Sequence, residues 1–74
     1  MSSITIKSEI AGTVWKIESK PGDTLEADDT LLILESMKME IPVLAPRRGC
    51  IAEIRVSEGD PVTEGQVLAL FTTG

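Results

Sequence analysis

Residues 12–34 read GTVWKIESKPGDTLEADDTLLIL, and residues 49–71 read GCIAEIRVSEGDPVTEGQVLALF. The two segments align without a gap at a constant offset of 37 positions. The aligned positions share a glycine, a Gly-Asp pair and several similar apolar residues: Gly12 with Gly49, Val14 with Ile51, Ile17 with Ile54, Gly22-Asp23 with Gly59-Asp60, Leu25 with Val62, and Leu31 with Leu68. Two strand-rich segments can resemble each other by chance, but this common register favours a duplicated structural unit.

Each half carries the pattern of two β-strands joined through a turn. The strands are predicted at 12–18 and 30–35 in the first half, and at 49–56 and 67–72 in the second. The first turn is Lys20-Pro21-Gly22-Asp23. Pro at its second position presets φ and Gly at its third accepts positive φ, which predicts a type II turn.

Strand alternation predicts which apolar side chains form the core. Leu31 and Ile33 are two residues apart, as are Leu68 and Leu70 in the second half. Because side chains alternate between the two faces of a strand, each pair shares one face. We expect these four side chains to lie inside the domain.

Two further strands are expected at 3–7 and 39–44, with Pro42 at a sheet edge because it lacks an N–H donor. Short strands at this spacing predict an all-β sandwich or flattened barrel, and the repeat predicts a pseudo-two-fold axis. Residues 1–74 are expected to form a single domain whose halves are linked by a hairpin at Lys38. The axis would place Lys38 at one end and the termini at the other.

The link between the halves is ESMKME, residues 35–40. A helix is an alternative, because these residues favour helices and Pro42 would end one. However, residues 31–34 are continuously apolar, without a stripe of period 3.6. We therefore predict a strand, a tight turn and a strand, with Met37 and Lys38 near the apex. One methionine could pack on the small core, but two beside a lysine at a turn are better explained by exposure.

Composition excludes several classes of function. The net charge is −5, which disfavours binding to nucleic acid. No apolar run approaches the length of a membrane span, so no membrane association is expected. The chain has a single cysteine, Cys50, which is consistent with a reducing cytoplasm. Separately, we expect the protein to be a monomer. The chain has no histidine, no cysteine or carboxylate spacing typical of a metal site, and no phosphate-binding loop. We therefore expect that it binds no metal, has no catalytic residues and is not an enzyme.

ESMKME resembles the Met-Lys-Met signature of biotinyl domains, the carrier modules of biotin-dependent carboxylases. The preceding Leu31–Glu35 and the Gly-Asp turns are similar to the same family, and the likeness covers roughly residues 4–72. The resemblance implies a hammerhead-like fold of two four-stranded sheets, without the inserted thumb that some relatives carry. It implies that Lys38 carries biotin through an amide bond. Recognition by the ligase and partner enzymes is then assigned to the neighbours of that lysine: Glu35, Ser36, Met37, Met39 and Glu40.

By this resemblance the protein is a biotin carboxyl carrier. A biotin protein ligase would load Lys38, and the group would move a carboxyl between a biotin carboxylase and a carboxyltransferase. Because a solvated lysine is almost wholly protonated at pH 7, the ligase must remove the proton. Lipoyl domains usually read Asp-Lys-Ala at this turn, so lipoate is the alternative cofactor. An unmodified interaction module is a third possibility. Ser36 departs from the family, which usually has Ala there.

Overall fold

The computed structural model describes residues 2–73, which form eight β-strands and no helix. The strands are β1 (Ser2–Lys7), β2 (Gly12–Ile17), β3 (Thr24–Leu25), β4 (Thr30–Ser36), β5 (Met39–Leu44), β6 (Gly49–Ile54), β7 (Pro61–Val62) and β8 (Val67–Thr73). They make two four-stranded antiparallel sheets, ordered β1-β8-β6-β3 and β5-β4-β2-β7. The predicted all-β sandwich is therefore confirmed, and the predicted strands agree to within two residues at each end.

An offset of 37 relates every strand of the first half to one of the second, with identical lengths. The sequence alignment began at Gly12, but the structural repeat also pairs β1 with β5. Each sheet combines strands from both halves, so neither half could form a complete sheet alone. Backbone hydrogen bonds repeat as well. Gly22 N–H donates to the carbonyl of Ile51 at 2.8 Å, and Gly59 N–H donates to that of Val14 at 2.7 Å.

The turn at Lys20–Asp23 has the geometry that its sequence predicts. Asp23 N–H donates to the carbonyl of Lys20 at 3.0 Å, and Gly22 has a φ of 94°. The Asp23 carboxylate accepts a hydrogen bond from Lys20 N–H, also at 3.0 Å. This extra bond explains why an aspartate follows the glycine, because it satisfies a backbone donor that the turn would otherwise leave to water.

The prediction for the core residues was partly wrong. Leu31 is buried as expected, but Ile33 is half-exposed, while Leu32 and Leu34 are both 1% exposed. The reason is a β-bulge: Thr30 pairs with Leu44 of β5 and Leu32 with Val43, so Leu31 is an extra residue. A bulge interrupts the alternation of faces and moves the following side chains to the other face.

The same correction applies to β8, where the register shifts opposite β1 between Ile6 and Lys7. Leu68 is buried as predicted, but Leu70 is half-exposed, and Ala69 and Phe71 take the inward positions. Among residues 2–73, twelve buried apolar residues form the core: Ile6, Val14, Leu31, Leu32, Leu34, Ala45, Ile51, Val56, Val62, Leu68, Ala69 and Phe71.

The molecule is elongated, with principal extents of 36 × 18 × 17 Å. β2 starts at Gly12, beside the end of β4, and its far end leads through the 20–23 turn to β3. β3 pairs with the start of β6, where Cys50 pairs with Thr72 of β8. Since Thr73 pairs with Ser2, the two ends of the described chain are adjacent. They lie at the opposite end of the sandwich from the β4–β5 hairpin.

Candidate functional site

The hairpin between β4 and β5 has a loop of two residues. Ser36 pairs with Met39, and Met37 and Lys38 form the turn between them. Their φ values are 53° and 64°, which places both residues in the left-handed region. Two consecutive left-handed residues define a type I′ turn, which normally selects Asn and Gly. Holding two other residue types there costs free energy, and such strain is common at functional sites.

The turn presents the Lys38 amine to solvent. Lys38 is exposed, and the ion pairs among residues 2–73 do not involve it. Met37 is 92% exposed and Met39 is 63% exposed, so neither methionine belongs to the core. Two exposed methionines on either side of one turn residue form an apolar patch, which suggests contact with another surface. The predicted strand, turn and strand are therefore present, with the lysine at the apex.

The predicted recognition residues Glu35 and Glu40 lie directly opposite each other, one pair below the turn. Both are exposed, and both carry the same charge. Like charges at directly opposed positions destabilise a strand pair slightly. The two carboxylates place negative charge on the surface below Lys38, where a positively charged group of a partner would be attracted.

The base of the hairpin is fixed to the start of β2. The Ser36 hydroxyl donates a hydrogen bond to the carbonyl of Ala11 at 2.9 Å. A Cβ added at Gly12 would lie 2.5 Å from the carbonyl oxygen of Glu35, so the glycine permits this close approach. Sequence reasoning did not identify Ala11 or Gly12 as part of the site. The available signal was Ser36 itself, a hydroxyl where the family usually has Ala.

Other charged residues have structural roles away from this hairpin. The Asp29 carboxylate accepts a hydrogen bond from Glu26 N–H at 2.9 Å, within the turn that precedes β4. Arg48 forms an exposed ion pair with Glu26 at 3.2 Å. Across residues 2–73, no cluster of His, Cys, Asp and Glu has the arrangement of a metal site. No helix long and apolar enough to cross a membrane occurs in the same range.

Residues 2–71 match the model of the family described as "Biotin-requiring enzyme". The chain is 48% identical to the "Biotin/lipoyl attachment protein" of Bacillus subtilis over 65 residues, which cover 88% of this chain and 89% of the relative. It is 39% identical to the "Biotinylated protein TB7.3 homolog" of Mycobacterium leprae over 67 residues, covering 90% of this chain and 94% of the relative.

Solved structures show the same fold. A single-chain, multi-domain long-chain acyl-CoA carboxylase matches with a TM-score of 0.92 and 29% identity, over 97% of this chain and 7% of the carboxylase. The lipoyl domain of the Azotobacter vinelandii 2-oxoglutarate dehydrogenase complex matches with a TM-score of 0.76 and 39% identity, over 86% of this chain and 81% of that domain. With the family match over nearly all of the chain, these similarities show that the protein belongs to the biotin/lipoyl attachment domain family.

Proposed function

We propose that the protein is a biotin carboxyl carrier and that Lys38 is its site of covalent biotin attachment. The observation that carries this proposal is the exposed amine at the apex of a two-residue turn, between two exposed methionines. The chemistry fits, because an amide bond to biotin requires a primary amine that an enzyme can reach. The biotinylated relative from Mycobacterium leprae supports biotin as the cofactor.

In this role, the chain's own contribution is presentation of the amine. A biotin protein ligase would supply biotinyl-AMP and remove a proton from the Lys38 ammonium group. Nζ would then attack the biotinyl carbonyl carbon, and the amide bond would form as AMP leaves. The rigid hairpin would hold the nitrogen clear of the sandwich during this attack. Once bound, biotin supplies a group that accepts and releases a carboxyl. Tethering replaces diffusion through bulk solvent by a high effective concentration near each partner site.

The proposed partners are a biotin carboxylase and a carboxyltransferase. The structural match to an acyl-CoA carboxylase supports this assignment, although the present chain covers 7% of that protein. Adjacent strand ends at Ser2 and Thr73 lie away from Lys38, so a neighbouring domain attached there would leave the amine free. The surface around the hairpin, from Glu35 to Glu40, is proposed to contact the ligase. A cytoplasmic monomer remains a prediction from composition, which size-exclusion chromatography of the purified chain can check in part.

Intact mass spectrometry tests the proposal. The chain is co-expressed with a biotin protein ligase in biotin-rich medium, alongside Lys38→Arg and a matched Lys20→Arg control. Lys20 is exposed, in the first Gly-Asp turn, away from the hairpin. We expect one biotinyl increment in the wild type and in Lys20→Arg, and none in Lys38→Arg. A wild-type chain that stays unmodified, or a Lys38→Arg chain that gains biotin, would contradict the assignment.

Lipoyl transfer is a second candidate function, because the lipoyl domain from Azotobacter vinelandii matches in both sequence and structure. The same variants are therefore incubated separately with a lipoate ligase and lipoate. A lipoyl increment at Lys38 without any biotinyl increment would favour this alternative. Absence of both increments would favour an unmodified interaction module.

A further inference from the structure

Residues 8–11 join β1 to β2 and lie beside the base of the lysine hairpin. We call this segment the buttress loop. Ser8 is only 2% exposed and anchors the loop to the turn before β8. Its N–H donates to the carbonyl of Gln66 at 2.9 Å, and its carbonyl accepts from Gly65 N–H at 2.7 Å. Its hydroxyl donates to the carbonyl of Ile10. The loop is therefore held by its own side chain and by a neighbouring turn.

The last residue of the buttress loop, Ala11, is joined to the hairpin by a hydrogen bond from one hairpin side chain. The Ser36 hydroxyl donates to the carbonyl of Ala11 at 2.9 Å, across 25 positions of sequence. Ser36 also forms the last strand pair, with Met39, before the turn. The residue that closes the hairpin is thus the residue that connects it to the loop. A hydrogen bond at this point restrains the backbone on which Met37 and Lys38 are mounted.

The pseudo-two-fold axis provides an internal comparison at the other end of the molecule. There the equivalent of Ser8 is Ala45, and the equivalent of Ser36 is Thr73, by the offset of 37. Ala45 has no hydroxyl, and within residues 2–73 no side-chain hydrogen bond joins Thr73 to Arg48, the equivalent of Ala11. Both ends build the same strands and the same close glycine contact. The sandwich therefore does not require these two serine hydrogen bonds, which occur at the lysine end.

We propose that Ser36 is a positioning residue, which acts through the carbonyl of Ala11 to hold the Lys38 turn in the conformation that a biotin protein ligase accepts. This inference rests on the proposed function for its enzymatic consequence. A turn with two left-handed residues other than glycine has alternative conformations close in free energy. Removing the hydroxyl of Ser36 releases the hairpin base and increases the population of those alternatives.

The first measurement is amide hydrogen exchange at Met39, the partner of Ser36 in the closing pair. Ser36→Ala is compared with Ser36→Thr, which keeps a hydroxyl, and with Ser3→Ala, which alters an exposed serine of β1. Loss of one intramolecular hydrogen bond shifts a local equilibrium by about two- to tenfold. We expect Met39 exchange to accelerate by this factor in Ser36→Ala and to remain near the wild-type rate in both other variants. Unchanged exchange in Ser36→Ala would overturn the proposal.

The second measurement separates presentation of the amine from its reactivity. For each variant, kcat/KM for the ligase is measured together with labelling of Lys38 by a water-soluble N-hydroxysuccinimide ester, followed by peptide mass mapping. We expect about a two- to tenfold fall in kcat/KM for Ser36→Ala, with recovery in Ser36→Thr and unchanged chemical labelling. An equal fall in chemical labelling would show altered exposure or reactivity and would overturn the positioning role.

Combining the two measurements distinguishes the remaining outcomes. A slower ligase reaction with unchanged Met39 exchange would mean that the Ser36 hydroxyl contacts the ligase directly, against the proposal. A wild-type chain that accepts no biotin would overturn the proposed function itself. Normal biotinylation of Ser36→Ala, at the wild-type rate, would instead leave that function intact and refute the role of Ser36.

Discussion

Gly12→Ala tests the close contact between β2 and the base of the lysine hairpin. The added Cβ would lie 2.5 Å from the Glu35 carbonyl oxygen and 3.3 Å from the Cβ of Ser36. Ordinary C···O contacts are about 3.3 Å or longer, so the overlap is about 0.8 Å. Glu35 cannot easily move away, because β4 is a central strand paired with both β2 and β5.

Two opposing effects determine the size of the change in stability. Overpacking of this kind costs about 1–3 kcal/mol. Replacing Gly by Ala also stabilises the folded state by about 0.4–1 kcal/mol, because the unfolded chain loses conformational freedom. The steric cost is larger, so we expect a net loss of about 1–2 kcal/mol in the free energy of unfolding. The free energy of unfolding of a 74-residue chain is about 4–11 kcal/mol in total. The expected loss is therefore measurable, and the variant should still fold.

Urea denaturation followed by circular dichroism measures this loss as a lower midpoint at constant slope. The matched control is Gly49→Ala, at the pseudo-symmetric position, where the Cβ would meet the carbonyl oxygen of Thr72 and the ring of Phe71. It should destabilise at least as much, but far from Lys38. Biotinylation per folded molecule should therefore fall in Gly12→Ala and persist in Gly49→Ala. Unchanged or increased stability of Gly12→Ala would refute the steric reasoning.

Three further predictions concern the core, a turn and the hairpin apex. Phe71→Ala should cost about 3–5 kcal/mol, because Phe71 is 0% exposed between the sheets; a thermal melt within about 5 °C of the wild type would contradict this. Asp28→Gly should raise the unfolding free energy by up to about 1 kcal/mol, because Asp28 has a φ of 70° where the other half has Gly65; urea titration should show no loss. Met37→Leu should change stability by less than about 0.5 kcal/mol but alter ligase kinetics, and unfolding of this variant would show that Met37 packs in the core.

Structural features that depend on a few neighbouring residues could be predicted from the sequence alone. The Lys20–Asp23 turn follows from the φ preferences of Pro21 and Gly22, which act within four residues. The hairpin at Lys38 follows from the apolar run that precedes it and the short strand that follows. The family resemblance also came from short contiguous motifs: ESMKME, the strand before it and the two Gly-Asp turns. Its implied fold of two four-stranded sheets agrees with the structure.

Other features depend on residues that are distant in sequence. Ile33 was expected inside, but a bulge opposite β5 made Leu32 and Leu34 the buried residues, because strand register depends on the partner strand. β1 and β5 share only Ile4 with Ile41 and the similar pair Ile6 and Val43 at the offset of 37, yet they occupy equivalent places in the two sheets.

The sequence by itself determined that this is a duplicated β protein with a lysine at the turn between its halves. Only the tertiary structure decided which apolar residues form the core and how the hairpin is supported. The hydrogen bond from Ser36 to Ala11 joins residues 25 positions apart, and Gly12 matters because another strand passes within contact distance. Periodicity and turn propensities describe the chain locally, whereas these contacts exist only once two strands have paired.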